Sequence, residues 1–288
     1  MSYTATETAK APGTADTGRA ATWRDRAGGA DWDYIRADLD AYGCGLIGPL
    51  LNPGEAAEIA ALYSDDSRFR STINMARHRF GEGEYRYFTE PFPEAVTGLK
   101  QALYPKLLPI ARAWWARLGR PAPWPDSLDE WLEMCHAAGQ SRPTPILLKY
   151  GEGDWNALHR DLYGELVFPL QVVINLSNPG VDHTGGEFLL YEQRPRAQSR
   201  ATATLIPHGH GLVFTTRDRP VQSAGGWSAG RVRHGVSVIR SGQRFTLGLV
   251  FHDAALCRPR HSATSTSAQS RHRVARSTRC SAPTGAPT

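Results

Sequence analysis

The 288 residues predict an α+β fold that is mainly β, with helices at the N-terminal end leading into a sandwich or jelly roll. Two observations carry this. Apolar residues recur every three or four positions up to about Leu118 and every second position from Pro143 onward, a switch from the helical to the strand period. The chain also holds 28 glycines and 20 prolines, which suit the many turns of a β domain.

Residues 31–42 carry Trp32, Ile35, Leu39 and Tyr42 at helical spacing. A strand over 43–51 follows. Asn52 and Pro53 then read as N-cap and first residue of a helix running to Tyr63. Strand pieces are expected over 69–88, around Gly81-Glu82-Gly83. The longest helical pattern, 93–118, places Leu99, Leu103, Leu107, Ile110, Trp114 and Leu118 in register; Pro105 and Pro109 should break or kink it. Trp114 and Trp115 at that spacing read as core. Strands are then expected over 146–150, 155–161, 168–177, 185–190, 201–206 and 211–215, with a loop through Gly225-Gly226 and two closing strands that carry His234 and Arg244. The domain expectation is a disordered segment 1–30, one domain 31–254 (helical layer 31–141, jelly-roll core 142–254) and a disordered basic tail 255–288.

The formal charge of +5 is concentrated in that tail. Residues 255–288 contain six arginines (Arg258, Arg260, Arg271, Arg273, Arg276, Arg279) and no acid, which leaves −1 on residues 1–254. The domain is therefore not predicted to be uniformly basic. Four scattered cysteines, Cys44, Cys135, Cys257 and Cys280, form no C-x-x-C pair and argue against a zinc site or a disulfide framework. No apolar run reaches the ~20 residues of a membrane span, and the first residues lack a signal-peptide pattern, so the expectation is a cytoplasmic protein with no membrane contact.

His159 and Asp161 sit two apart, so on a strand one imidazole and one carboxylate share a face. A second imidazole from late in the chain, His234, would complete two histidines and a carboxylate on one side of a metal and leave the opposite positions open. Arg244 lies on an alternating strand beside the last histidine and shares its face with Thr246 and Gly248. A cation aimed at a metal pocket suits a dicarboxylate co-substrate. His208-Gly209-His210 competes as a ligand pair, but it precedes a strand at a turn and has no carboxylate nearby. His252 shares the alternation of Arg244 and could approach the cavity. Gly185 and Gly186 read as points of close backbone approach beside the metal strands, with Glu187 secondary. Gln171 and Asn175 share one face of an apolar strand and need partners, either in the core or on the cofactor. Arg194, Arg196, Arg200, Arg217, Arg219, Arg231 and Arg233 form either a solvated surface or a phosphate-facing rim.

The set His159-x-Asp161, His234 and Arg244, within 142–254, resembles the iron(II)- and 2-oxoglutarate-dependent dioxygenases. The segment from His234 to Arg244 is similar to their prolyl-hydroxylase-like branch. The run Tyr150-Gly-Glu-Gly-Asp-Trp-Asn-Ala-Leu-His159-Arg-Asp161 is similar to the AlkB-like repair demethylases, and 142–254 as a whole looks closest to a bacterial oxygenase family proposed to act on damaged nucleic acid. The resemblance implies a double-stranded β-helix (jelly roll, cupin-like). It implies Fe(II) on His159, Asp161 and His234, with 2-oxoglutarate held by Arg244, Tyr150 and Thr246. It further implies O2 as co-substrate, hydroxylation or oxidative demethylation of alkylated nucleic acid as the reaction, a role in DNA repair, and no obligate protein partner. A hydroxylase of a protein side chain or small molecule is the alternative enzyme, and a non-catalytic cupin-like binding module the alternative outside catalysis. A plain metal-binding barrel has no need of Arg244.

Overall fold

In the computed structural model the described residues are 22–193, 198–223 and 225–255. They begin with α1 (Trp23–Gly28), α2 (Trp32–Tyr42), β1 (Cys44–Pro49), α3 (Pro53–Ala61), β2 (Phe69–Asn74), β3 (Gly81–Glu82), β4 (Glu84–Phe88), α4 (Glu94–Arg117) and α5 (Leu128–Ala137). The β core follows: β5 (Ile146–Tyr150), β6 (Trp155–His159), β7 (Leu170–Asn175), β8 (His183–Gly185), β9 (Phe188–Gln193), β10 (Arg200–Thr204), β11 (His210–Thr215), β12 (Asp218–Ser223), β13 (Gly226–Val236), β14 (Ile239–Gly242) and β15 (Arg244–Val250).

The large sheet runs β1-β11-β7-β15-β5-β4-β2 and the small one β10-β9-β13-β6-β3, with β12 paired to β13. From β5 onward the chain passes repeatedly between the two sheets, so that β5, β7, β11 and β15 lie in one and β6, β9, β10 and β13 in the other. All these pairs are antiparallel. This is the jelly roll, or double-stranded β-helix, that the sequence predicts.

The alternation along β15 decides what each face does. Phe245, Leu247, Leu249 and Phe251 join the core formed with α4 and α5 through Leu103, Leu107, Trp114 and Trp131. Arg244, Thr246, Gly248 and Val250 face inward between the sheets. There Phe188, Leu190, Phe214 and Val232 form one apolar cluster, and Met75, Leu148, Tyr150, Val236 and Ile239 another. A cavity of about 210 Å3 remains among them.

The helices follow their caps. Asn52 accepts from the Glu55 N–H while the Glu55 carboxylate accepts from the Asn52 N–H, with Pro53 at the first position. Gly43, at φ +84°, ends α2 in the left-handed conformation.

Four expectations need correction. Helix α4 is continuous: Pro105 and Pro109 are four apart, both exposed, and the carbonyls they leave unbonded belong to the water-facing side, while Leu103, Leu107, Ile110 and Trp114 anchor the other. Part of the supposedly disordered 1–30 is helical. Thr22 and Asp25 form a capping box on α1, and Arg26 pairs with Glu55 at 2.7 Å. Helix α5 was not expected, although Ser127 as N-cap and Leu128, Trp131, Leu132 and Cys135 at helical spacing mark it. The loop before Gly226 is largely strand β12, an edge strand that tolerates Pro220 and shows no apolar alternation. Residues 1–21, 194–197, 224 and 256–288, including Arg194, Arg196 and the basic tail, lie outside the described residues. No helix among the described residues is long and apolar enough to cross a membrane.

Candidate metal centre and co-substrate pocket

Strand register brings the two histidines together. His234 on β13 is the direct cross-strand partner of His159, the last residue of β6. Their rings lie 4.3 Å apart between centroids. Asp161 is not on the strand, as the i, i+2 reading supposed; it follows the end of β6 and turns back toward both imidazoles. Its Oδ1 lies 3.4 Å from His159 Nε2 and its Oδ2 3.1 Å from His234 Nε2. The ligand atoms of all three fall within 4.8 Å of one another, and among the described residues this is the one cluster of three or more His, Cys, Asp or Glu side chains with that geometry. His208 and His210 stay apart from it; His210 Nδ1 lies 3.0 Å from the His208 carbonyl at the start of β11.

The neighbours hold each ligand in place. His159 Nδ1 contacts the Ala157 carbonyl at 2.7 Å, which turns Nε2 toward the cluster. His234 is packed between Phe188, stacked at 5.9 Å, and Phe214, edge-on at 4.7 Å. Tyr163 donates its hydroxyl to Asp161 Oδ1 at 2.9 Å. Burial alone would raise the Asp161 carboxyl, but His234 and His159 hold it well below the usual carboxylate range. A carboxylate kept ionised between two imidazoles is a donor set for a divalent cation.

The other end of the cavity belongs to Arg244. It is 2 % exposed, and its Nη1 has no hydrogen-bond partner among the described residues. Burial pushes its pKa down to about 10, against the raising effects of Tyr150 and Glu187. Tyr150 is its cross-strand partner, with the guanidinium 5.7 Å from the ring centroid. The Tyr150 hydroxyl accepts from Asn156 Nδ2 at 3.2 Å. Thr246, two residues on, lines the same cavity. A buried guanidinium with an open donor fits the far carboxylate of a dicarboxylic acid.

Several other expectations resolve here. Gln171 lines the cavity, its Nε2 without a partner among the described residues, whereas Asn175 donates to the carbonyls of Ser177 and Ile206 in the core. Gly186, at φ +74°, lies against Ile239 and Arg244 Cδ, so its close approach serves the arginine rather than the metal strands. Glu187 accepts from the Ser237 hydroxyl. His252 is a core residue: its Nδ1 accepts from the Phe168 N–H at 3.2 Å, and burial pushes its pKa to about 3.

The arginine rim is only partly where the sequence put it. Arg219 is fully buried against Glu192 at 2.9 Å, Arg200 shares that carboxylate at 2.8 Å, and Arg217 pairs with Asp218 at 3.0 Å. Arg231 and Arg233 are exposed on β13. Arg160, between His159 and Asp161, lines the cavity and donates to the Val232 carbonyl at 3.0 Å. It was not singled out from the sequence, although its place between two candidate ligands marks it. Tyr163, two residues past Asp161, carried a similar signal. Tyr85 and Phe80 also line the cavity and carried none, because pairing of β4 with β5 and of β3 with β6 brings them there.

A family model described as Oxygenase-NA, an oxygenase catalysing oxidative methylation of damaged DNA, matches residues 83–254. The chain belongs to this oxygenase family. It is 72 % identical over 168 residues to "Uncharacterized protein MT2286" and "Uncharacterized protein Rv2227" from two strains of Mycobacterium tuberculosis, covering 58 % of this chain and 72 % of each relative. Among solved structures, a Pseudomonas putida prolyl-4-hydroxylase aligns with TM-score 0.47 and 15 % identity, covering 75 % of this chain and 96 % of that one. A Trichoplax adhaerens prolyl hydroxylase in complex with a hypoxia inducible factor peptide fragment aligns with TM-score 0.48 and 17 % identity, covering 75 % and 86 %. A Burkholderia pseudomallei oxidoreductase of the 2OG-Fe(II) oxygenase family gives 0.45 and 16 %, covering 79 % and 94 %. Family membership makes the chain an oxygenase, and the His-Asp-His cluster is a donor set of the kind that holds iron(II) with open positions for substrates.

Proposed function

We propose that this oxygenase removes methyl groups from alkylated nucleic acid, with His159, Asp161 and His234 as the iron ligands and Arg244, Tyr150 and Thr246 around the far carboxylate of 2-oxoglutarate. Bound there, iron(II) with 2-oxoglutarate and O2 supplies the oxidation of a substrate C–H to an alcohol, 2-oxoglutarate leaving as succinate and carbon dioxide. On an N-methyl group that alcohol collapses to formaldehyde and the bare base. Oxidising a methyl carbon removes the group rather than adding it, so demethylation is the direction the chemistry supports.

The chain's share is placement. Arg244 offers a desolvated N–H to a carboxylate, an interaction strengthened by the low local dielectric. Tyr163 occupies Asp161 Oδ1 and so favours ligation through Oδ2. Phe188, Phe214, Val236 and Leu148 line the cavity with apolar surface that excludes water.

The observation that carries the substrate class is a group of arginines beside the metal centre: Arg160 lines the cavity, and Arg231 and Arg233 are exposed on β13, the strand that carries His234. No ion pair among the described residues engages Arg160, Arg231 or Arg233. Such a cluster suits phosphates, and the damaged DNA named for the family fits it. A nucleic-acid substrate also implies a cytoplasmic enzyme acting in DNA repair.

The test is formaldehyde release from N-methylated oligonucleotides by the iron-loaded protein, with metal binding measured separately. His159→Ala and His234→Ala should abolish both stoichiometric iron binding and succinate formation. Wild-type iron affinity in either variant sinks the ligand assignment. Turnover of 2-oxoglutarate without formaldehyde, and without stimulation by any oligonucleotide, moves the substrate to a protein side chain or small molecule.

A further inference from the structure

Between β2 and β3 the chain forms a short loop that ends in Phe80, an aromatic ring 46 % exposed that also lines the cavity. The ring of His78 lies stacked on it, with centroids 5.5 Å apart and planes 22° from parallel. The hydrophobic effect favours burying such a ring, and this loop holds it out. The Phe80 N–H donates to the Met75 carbonyl at 3.0 Å, and the Phe80 carbonyl accepts from the Ala157 N–H at 2.7 Å. Met75 is fully buried, so the loop is anchored at its base. Gly81, at φ +119°, pairs with Asn156 on the ligand strand β6 and sits so close to the Trp155 carbonyl that no side chain would fit. The exposed pair is thus fixed directly to the strand that ends in His159.

Charge tells what it could meet. Arg77 and Arg79, on the same loop, are exposed, Arg160 lines the cavity, and Arg231 and Arg233 are exposed on β13, the strand that carries His234. A flat aromatic surface among guanidiniums matches a polymer of planar rings joined by anions. An apolar peptide would use the ring and have no need of the cations. The cavity, at about 210 Å3, is far too small for a duplex. His78 and Phe80 lie outside the span 83–254 that the family model matches.

We propose that Phe80, backed by His78, is a stacking platform for an unpaired target base as it enters the cavity. This rests on the nucleic-acid reading above. The stacked face is sequence-tolerant, because every base presents one. Phe80 thereby selects unpaired over paired substrate, while the methylated position selects within the cavity.

The test uses the full chain with Mn(II) in place of iron(II) and 2-oxoglutarate present. The probes are a short single-stranded oligonucleotide with one N-methylated base and the same strand with an abasic residue there. In the wild type, loss of the base should weaken binding roughly 5- to 150-fold, the range for stacking on one aromatic side chain. Phe80→Ala should bind both strands alike, at the weaker affinity, and Phe80→Trp should keep the discrimination. Thermal melts of each variant report the fold; the exposed ring should leave them unmoved. Wild-type discrimination in Phe80→Ala overturns the platform alone. Failure of the wild type to bind any oligonucleotide overturns the nucleic-acid reading and the platform with it.

Discussion

Arg219 and Arg244 are withdrawn from solvent to the same degree, 1 % and 2 % exposed, yet their surroundings are opposite. Around Arg219, Nη2 donates to Glu192 at 2.9 Å and Nη1 to the Asp40 carbonyl at 2.7 Å, with the Ala41 carbonyl at 3.3 Å. That guanidinium ties α2 to β9 and β12. Around Arg244 there is the face of Tyr150, an Nη1 with no partner among the described residues, and a cavity leading to His159, Asp161 and His234. Desolvating a cation is costly in both places. In one the cost is offset by the fold itself; in the other the offset must come from a ligand. A buried charge therefore marks a site when its hydrogen bonds are left open toward a cavity, and burial alone does not.

The largest effect that would break this contrast is on stability. Glu192→Ala leaves Arg219 buried without its carboxylate and should cost about 3–5 kcal/mol, read from denaturant unfolding. A loss under about 1 kcal/mol would show that Glu192 is not what holds the cation. Arg244→Ala should behave in reverse. Its melting temperature should not fall, because an incompletely bonded cation is removed. Affinity for 2-oxoglutarate should drop roughly 10- to 100-fold, the equivalent of a charge-assisted hydrogen bond of about 1.5–3 kcal/mol. An unchanged Michaelis constant for 2-oxoglutarate contradicts the assigned role.

A comparable but smaller effect is expected at the opposite end of the cavity. Tyr163→Phe deletes the hydroxyl on Asp161 Oδ1 and should weaken Mn(II) binding by about 10-fold, the lower end for an outer-shell partner, with little change in 2-oxoglutarate affinity. Titration calorimetry separates the two ligands. The smallest effect concerns the exposed cations. Arg233→Ala should leave melting and iron binding alone and make the salt dependence of single-strand affinity shallower by about 0.7 in log–log slope, one phosphate contact. The same substitution at a purely solvated arginine would leave the slope as it was.

Local chemistry made much of the fold readable. The capping box at Asn52 and Glu55, the turn at Gly43 and the period of two along β15 each depend on residues within a few positions of one another. The inward row Arg244, Thr246, Gly248 and the His159-x-Asp161 pair were legible for the same reason, although Asp161 reaches the site from beyond the strand. Pro105 and Pro109 misled because a proline's cost depends on which side of the helix it occupies, and that side is set by what α4 packs against.

Which charges serve the fold and which the site was decided by tertiary structure alone. Arg219 and Arg233 look equivalent in the sequence, but one meets Glu192, 27 residues away, and the other meets water. His234, a ligand candidate already in the sequence, meets His159 because β13 pairs with β6 in the register that sets the two opposite. Tyr85 and Phe80 enter the cavity by pairing of β4 with β5 and of β3 with β6, an arrangement no local pattern encodes. The sequence by itself determined the residue types, the strand period and the spacing of the ligand segment, because those arise from backbone geometry over a few residues. The tertiary structure decided desolvation and convergence, because both depend on distant segments arriving at one place.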